Sequence, residues 1–248
     1  MEKARILLYD LETFPNIAYT WGKYEQDVIA FVKERMICSV AWRWLGEKKT
    51  HCLSLPDFYG YPKEYNDNSK LIKAFHEVIS GSDVVIAHNG SRFDDKMLNA
   101  DILKLNLEPP PPHKMVDTLS VARKNFRLNS NRLDDLGQLL KVGRKVKHEG
   151  FALWLKCMAG DKKAWAKMIR YNKQDVVLLE RVYLRLRPWI VNHPDLGDYS
   201  RVNGCPNCES KRARTRGWSY ASQSKRQRLK CLDCGRWYAG PRVKSQKD

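Results

Sequence analysis

The sequence predicts a mixed α/β domain followed by a small cysteine-rich module, on three observations. The first 55 residues hold a succession of short apolar runs with strand character. From Lys70 onward, strand-like and helix-like segments alternate. After Gly204 the composition turns sharply basic and two Cys-x-x-Cys pairs appear.

Residues 5–13, RILLYDLET, open with the apolar run Ile6, Leu7 and Leu8 and read as a buried strand. Asp10 and Glu12 stand two apart on it, and alternate residues of a strand share a face. Two adjacent carboxylates repel unless a positive charge lies between them, and a divalent ion is the usual answer. Alone, the pair is more simply two solvated acids at a strand end. Residues 16–21, 27–32, 36–45 and 50–55 read as further strands, with Gly46 and Glu47 at a turn, so an antiparallel meander is expected. Residues 56–68 are a tyrosine-rich loop. Residues 70–79 carry Leu71, Ile72, Phe75, Val78 and Ile79 at helical spacing, and Gly81 ends that helix.

Residues 84–87 form a buried strand closed by His88, Asn89 and Gly90. A helix is expected over 94–105, before a run of four prolines that no regular element can contain. Residues 115–119 begin another segment, and 133–140 look helical. Residues 143–150, GRKVKHEG, form a basic loop. Residues 151–190 are helical with a break near Gly160, after which Asp161 can cap the second helix. The domain is expected over 1–192, a linker over 193–203, the cysteine module over 204–240 and a basic tail over 241–248.

The chain has 248 residues, a formal net charge of +17 and a pI of about 9.6. Such a field suggests a polyanionic partner, nucleic acid first and an anionic membrane surface second. Residues 201–248 contain 13 Lys or Arg against 3 Asp or Glu, so the charge is concentrated there. No apolar run approaches a membrane span. The opening MEKAR runs straight into a strand, so a signal peptide is not expected and a cytoplasmic, reducing compartment is. Cys38, Cys52 and Cys157 sit among apolar neighbours and read as reduced core residues.

Two more acidic motifs join Asp10 and Glu12. HNGSRFDD places Asn89 at a strand end and Phe93-Asp94 at a helix start; YNKQD places Tyr171 and Asp175 four apart, on one helix face. Singly, Asp94 reads as readily as a cap, Tyr171 as a core aromatic and Asp175 as a solvated acid.

In order, Asp-x-Glu, Asn-x-x-x-Phe-Asp and Tyr-x-x-x-Asp resemble the motifs of the DEDD 3′–5′ exonucleases, and the tyrosine points to the DEDDy branch. The likeness is greatest to the proofreading exonuclease of family B DNA polymerases and its stand-alone relatives, and it covers residues 1–190. It implies a ribonuclease-H-like mixed sheet flanked by helices, and two Mg²⁺ or Mn²⁺ ions. By the same resemblance Asp10 bridges both ions, Glu12 and Asp175 hold the first, Asp94 holds the second through water, and Tyr171 orients the attacking water. Thr13 and Phe14 contact the terminal nucleotide, Phe14 by stacking, and Asn89 lines the cleft. Asp95 is passed over because the pattern takes the acid directly after Phe93, and Asp117 is a neighbour of the site. The histidine branch carries His in place of Tyr171, so His88 is read as a turn or core residue. The loop holding Arg144, Lys145, Lys147 and His148 is either solvated or touches phosphates.

Cys205, Cys208, Cys231 and Cys234 form two pairs separated by 22 residues, which suits one tetrahedral Zn²⁺ in a closed structural site and looks like a zinc ribbon. Gly235 lets the second knuckle turn tightly. Between the pairs, Arg212, Arg214, Arg216, Lys225, Arg226 and Arg228 are interleaved with Trp218 and Tyr220. Phosphate neutralisation with base stacking is the favoured reading, against aromatics that simply pack the ribbon. The expected activity is 3′–5′ exonucleolytic cleavage of DNA, with a protein partner in replication or repair. The rivals are an RNA-processing exonuclease, a structure-selective endonuclease and a non-catalytic nucleic-acid-binding protein.

Overall fold

A computed structural model describes residues 3–24, 27–201, 203–221 and 224–243. Its first part runs β1 (Ile6–Phe14), β2 (Ile17–Tyr19), β3 (Ala30–Lys33), β4 (Met36–Trp44), β5 (His51–Ser54), α1 (Leu55–Tyr59), α2 (Ser69–Ser80) and β6 (Val84–Ala87). Then come α3 (Asp94–Lys104), β7 (Lys114–Asp117), α4 (Thr118–Asn125), α5 (Leu133–Leu139), α6 (Phe151–Met158) and α7 (Lys162–Leu186). A 3₁₀ turn (Arg187–Trp189) and α8 (Gly197–Ser200) lead into β8 (Ala213–Ala221), β9 (Ser224–Cys231) and β10 (Trp237–Val243).

One mixed sheet has the order β5-β4-β1-β6-β7, with β4 and β5 antiparallel to their neighbours and β6 and β7 parallel to β1. Its two faces build two cores. Leu7, Tyr9 and Leu11 pack with Leu71, Ile72 and Phe75 of α2 and Leu98 of α3. Ile6 and Leu8 pack on the other face with Leu133 and Leu136 of α5 and Val176, Leu179 and Val182 of α7. The α/β sheet flanked by helices is as expected from the sequence.

Four local expectations change. The strands after β1 are not one meander: β4 pairs with β1, and β2 and β3 form their own two-stranded hairpin between them. The loop expected over 56–68 begins as α1, because Pro56 falls in the first turn, where a missing N–H costs nothing, and Asp57 accepts from the N–H and hydroxyl of Ser54. The stretch expected as a linker is packed: His193 bonds to the Tyr183 hydroxyl at 2.7 Å, and Leu196 joins the core. At the C-terminus, β10 carries the ribbon past Gly240 to Val243, three residues into the expected tail. Residues 244–248 of that tail lie outside the described residues.

Candidate active site and cysteine centre

β1 supplies the first two acids. Ile6 and Leu8 bury one face, and Asp10 and Glu12 continue it toward the C-terminal half of the strand. The ladder between β1 and β6 stops at Leu8, so the acids lie where the sheet opens beyond β6. The chain leaving β6 turns through Asn89, at φ 68°, and enters α3, whose first residue is Asp94. Asp94 is not a cap. Its Oδ1 accepts from the Leu11 N–H at 3.2 Å and so ties the start of α3 to β1.

α7 supplies the rest. Its buried residues recur every three or four positions, and Tyr171, Asn172 and Asp175 belong to that stripe. One carboxylate oxygen each from Asp10, Glu12 and Asp175 lie within 4.8 Å of one another. Asp94 is near enough to raise the Asp10 pKa but stands outside this triad. The structure thus brings together acids from two distant segments, with Asp94 of a third tied to Leu11 beside them.

Such crowding has a measurable cost. Burial, then Asp175 and Glu12, push the Asp10 carboxyl well above its ordinary value. Burial and then Asp175 push Glu12 up to about 8, and burial pushes Asp94 up to about 6. The Lys145 ammonium bonds Asp175 Oδ2 at 2.5 Å and the Tyr171 hydroxyl at 3.1 Å. Burial opposes that charge, but Asp175 and Asp10 outweigh it and hold the lysine protonated. The other oxygen of Asp175, Oδ1, is buried with no hydrogen-bond partner. An orphaned carboxylate oxygen beside two further carboxylates is a donor set that fits a hard divalent cation.

Sequence reasoning missed several supports of this site. Asn172 is fully buried; its Nδ2 donates to Asp10 Oδ2 at 2.8 Å, and its Oδ1 accepts from Ser39 Oγ at 2.9 Å. It fixes Asp10 from α7, and adjacency to Tyr171 was its only signal. Lys145 was seen only as part of a basic loop. His148, from the same loop, meets the Tyr171 ring edge to face at 4.8 Å. That loop folds over the acids instead of lying free in solvent.

Other expected residues divide. Asn89 lines a cavity of about 660 Å³ with His88, Arg123, Asn131, Arg132 and Lys145, next to the acids. His88 bonds Thr118 Oγ1 at 2.9 Å, and burial lowers its pKa to about 4, as suits a neutral turn residue. Asp117 caps α4 and accepts from the Asn89 N–H and Ser91 Oγ. Thr13 is half-buried on β1. Phe14 corrects the expectation of a stacking ring. The β1–β4 register shifts between Glu12 and Thr13, and Phe14 is 4% exposed, packed on Tyr65 and Trp165. It contributes to the floor of a cavity of about 630 Å³ as a core residue.

In the C-terminal module the four cysteine sulfurs lie within 4.8 Å of one another, with Cys205–Cys234 at 3.5 Å and Cys208–Cys231 at 3.6 Å. Four thiolates around one Zn²⁺ have sulfurs about 3.8 Å apart, so the cluster fits a zinc ribbon. Gly235 has φ 78°, the left-handed turn the knuckle needs. Burial works against the Cys231 thiolate, but the N–H groups of Cys234 and Asp233 outweigh it and lower its pKa to about 7. Of the expected nucleic-acid contacts, Arg212 is paired with Asp233 at 2.7 Å. Trp218 and Tyr220 share Lys225, whose ammonium lies 4.3 Å and 5.8 Å from their ring centres. Arg214, Arg216, Arg226 and Arg228 are exposed.

A family model described as the RNase H superfamily matches residues 46–187. The chain therefore belongs to the RNase H superfamily, whose members are generally nucleases. The matched span includes Asp94, Tyr171 and Asp175; β1 lies outside it. Among solved structures the chain is similar to the family B DNA polymerase from the hyperthermophilic archaeon Pyrobaculum calidifontis, at TM-score 0.53 and 15% identity. That likeness covers 75% of this chain and 25% of the polymerase, and it is one of fold. A comparison with curated protein sequences gives no match. Among the described residues, no helix is long and apolar enough to cross a membrane.

Proposed function

We propose that this chain is a metal-dependent 3′–5′ exonuclease acting on DNA, with Tyr171 in the tyrosine position of its last motif. One observation carries the reading: Asp10, Glu12 and Asp175 converge from a strand and a distant helix, with an oxygen of Asp175 left unpaired among them. Asp94 completes the motif order beside them. The choice of DNA and of 3′–5′ polarity rests on resemblance to proofreading exonucleases.

In this reading Asp10, Glu12 and Asp175, with Asp94, hold two Mg²⁺ or Mn²⁺ ions. Bound there, such ions would stabilise charge on the attacking and leaving oxygens and lower the pKa of water. The protein's own groups supply the rest. Burial, then Asp175 and Glu12, raise the Tyr171 pKa, so the hydroxyl stays protonated and can donate a hydrogen bond to the attacking water. His148 and Lys145 fix that hydroxyl, one through the ring and the other through the oxygen. Water oxygen bonds to phosphorus, the P–O3′ bond breaks, and the released 3′ oxygen takes up a proton. Asn172 keeps Asp10 aligned. The cysteine cluster would hold one Zn²⁺ as a structural ion, since all four positions are filled by protein.

The test is digestion of DNA and RNA strands labelled at either end, with and without Mg²⁺ or Mn²⁺. Stepwise shortening of the 5′-labelled DNA, with a mononucleotide released at once from the 3′-labelled one, is expected. Faster loss of RNA moves the reading to RNA processing. Cleavage of a circular single strand makes the protein an endonuclease, and no cleavage of any strand overturns the enzyme.

A further inference from the structure

The ribbon's strands contain no acidic residue and seven basic ones. Strand register sorts those charges in a way the linear order hides. Opposite residues of an antiparallel pair share a face. Arg214 lies across from Lys230, and Arg226 across from Arg242. Arg228 lies two residues from each of Arg226 and Lys230, so these five cations share one face. Arg216 lines the same 440 Å³ depression as Arg214 and Lys230. Trp237, across from Lys230, adds one aromatic ring to this face and is 48% exposed. Trp218 and Tyr220 lie across from Gln227 and Lys225, on the opposite face, where Lys225 meets both rings as Lys230 meets the Trp237 ring, at 5.8 Å.

Cations two apart on a strand repeat at about 7 Å, and neighbouring strands lie about 5 Å apart. The face is therefore a dense positive array with one stacking ring. Its position in the molecule is set by α7. Asn207 donates to the Arg187 carbonyl at 2.9 Å, and Arg236 donates to the carbonyls of Pro188 and Val191. Arg187 is twelve residues beyond Asp175, about 18 Å along the helix. That leaves room for a few nucleotides of a strand between the two.

We propose that this face, and not the Trp218–Tyr220 face, holds the sugar–phosphate backbone of a single strand, with Trp237 stacking on an unpaired base. The strand is held several nucleotides from the bond that is cut. The proposal rests on the nuclease reading and deepens it by naming where and how the substrate is gripped.

The experiment measures binding of labelled single-stranded and duplex oligonucleotides of about 20 nucleotides to the full, zinc-loaded chain across a salt series. Arg226→Ala with Arg228→Ala should weaken binding about tenfold and flatten the log–log salt slope by about 1.5. Lysine at both positions should restore the slope, which separates lost charge from lost shape. Trp218→Ala with Tyr220→Ala should stay within about twofold of the parent. Trp237→Ala should weaken single-strand binding more than duplex binding, because stacking needs an unpaired base. Zinc content checks folding. Hydrolysis of the p-nitrophenyl ester of thymidine 5′-phosphate, too small to reach the ribbon, checks the acid site. A larger loss from the Trp218–Tyr220 pair than from the arginine pair overturns the proposal, as does an indifferent Trp237→Ala. Absent ester hydrolysis in the parent protein counts against the nuclease reading alone.

Discussion

The acid cluster and the cysteine cluster both gather like-charged ligands, yet they are held in opposite ways. Asp10, Glu12 and Asp175 sit on a central strand and a 25-residue helix, each anchored by a large apolar core. The scaffold there gathers buried carboxylates, and burial together with their mutual repulsion raises the pKa values of Asp10 and Glu12. The cysteines sit at the turns and ends of three short strands that carry seven basic residues and enclose a small interior. On the proposed reading a bound zinc there would supply much of the folding free energy, on the order of 10 kcal/mol for a structural zinc. On that reading a metal is a reagent in one region and a structural member in the other. Removing it should abolish activity without unfolding the first, and unfold the second.

The sharpest way to break that comparison is Asp175→Asn. Loss of several kcal/mol of charge stabilisation should cut the cleavage rate about a thousandfold or more. The melting temperature should change little, because relief of the repulsion with Asp10 and Glu12 offsets the lost ion pair to Lys145. A melting temperature lowered together with activity would mean that the acid is structural. Asn172→Ala comes next. It leaves every proposed ligand in place but frees Asp10, so Mn²⁺ affinity measured by titration should fall about 10- to 100-fold. Unchanged affinity would remove Asn172 from the site.

Cys231→Ser tests the other region. Zinc should be lost and oligonucleotide affinity should drop about tenfold, while hydrolysis of a small phosphodiester persists. If small-substrate turnover vanishes too, the regions are not independent. A further test is a pH dependence. Glu12 has a folded-state pKa of about 8 against an ordinary 4.5, so the folded, ion-free site binds protons more tightly than the unfolded chain. That contribution is fully present below pH 4.5 and is lost as pH rises through about 8. The melting temperature of zinc-loaded protein without Mg²⁺ should therefore fall by about 2–4 °C for each kcal/mol lost across this range. Saturating Mg²⁺ should flatten the trend, since ion binding favours the ionised carboxylates. A flat profile without Mg²⁺ would show that the acids are not crowded in solution.

How far the site was legible depended on which residues carried periodic signals. β1 was readable because an apolar run and two alternating acids obey one period. α7 was readable because its buried stripe is long and Asp161 caps it, accepting from the Ala164 N–H. The aromatic Phe14 was misread because its ring packs on Tyr65 and Trp165, contacts from distant segments that leave no mark in local spacing. Lys145 and Asn172 carried no signal of their own: one is a single cation in a basic loop, and the other is an ordinary helical polar residue.

Local chemistry written along the chain determined the mixed α/β class, the motif order of four acids and a tyrosine, and the paired cysteines. Each follows from residue type and short-range spacing, which a linear reading can measure. Tertiary structure alone decided that Lys145 neutralises Asp175, that Asn172 and Ser39 hold Asp10, and that the ribbon's arginines and its Trp218–Tyr220 pair face opposite ways. Those facts depend on where helices land on sheets and on how strands slide in register. Such choices are settled by burial and hydrogen bonding between segments far apart in the chain.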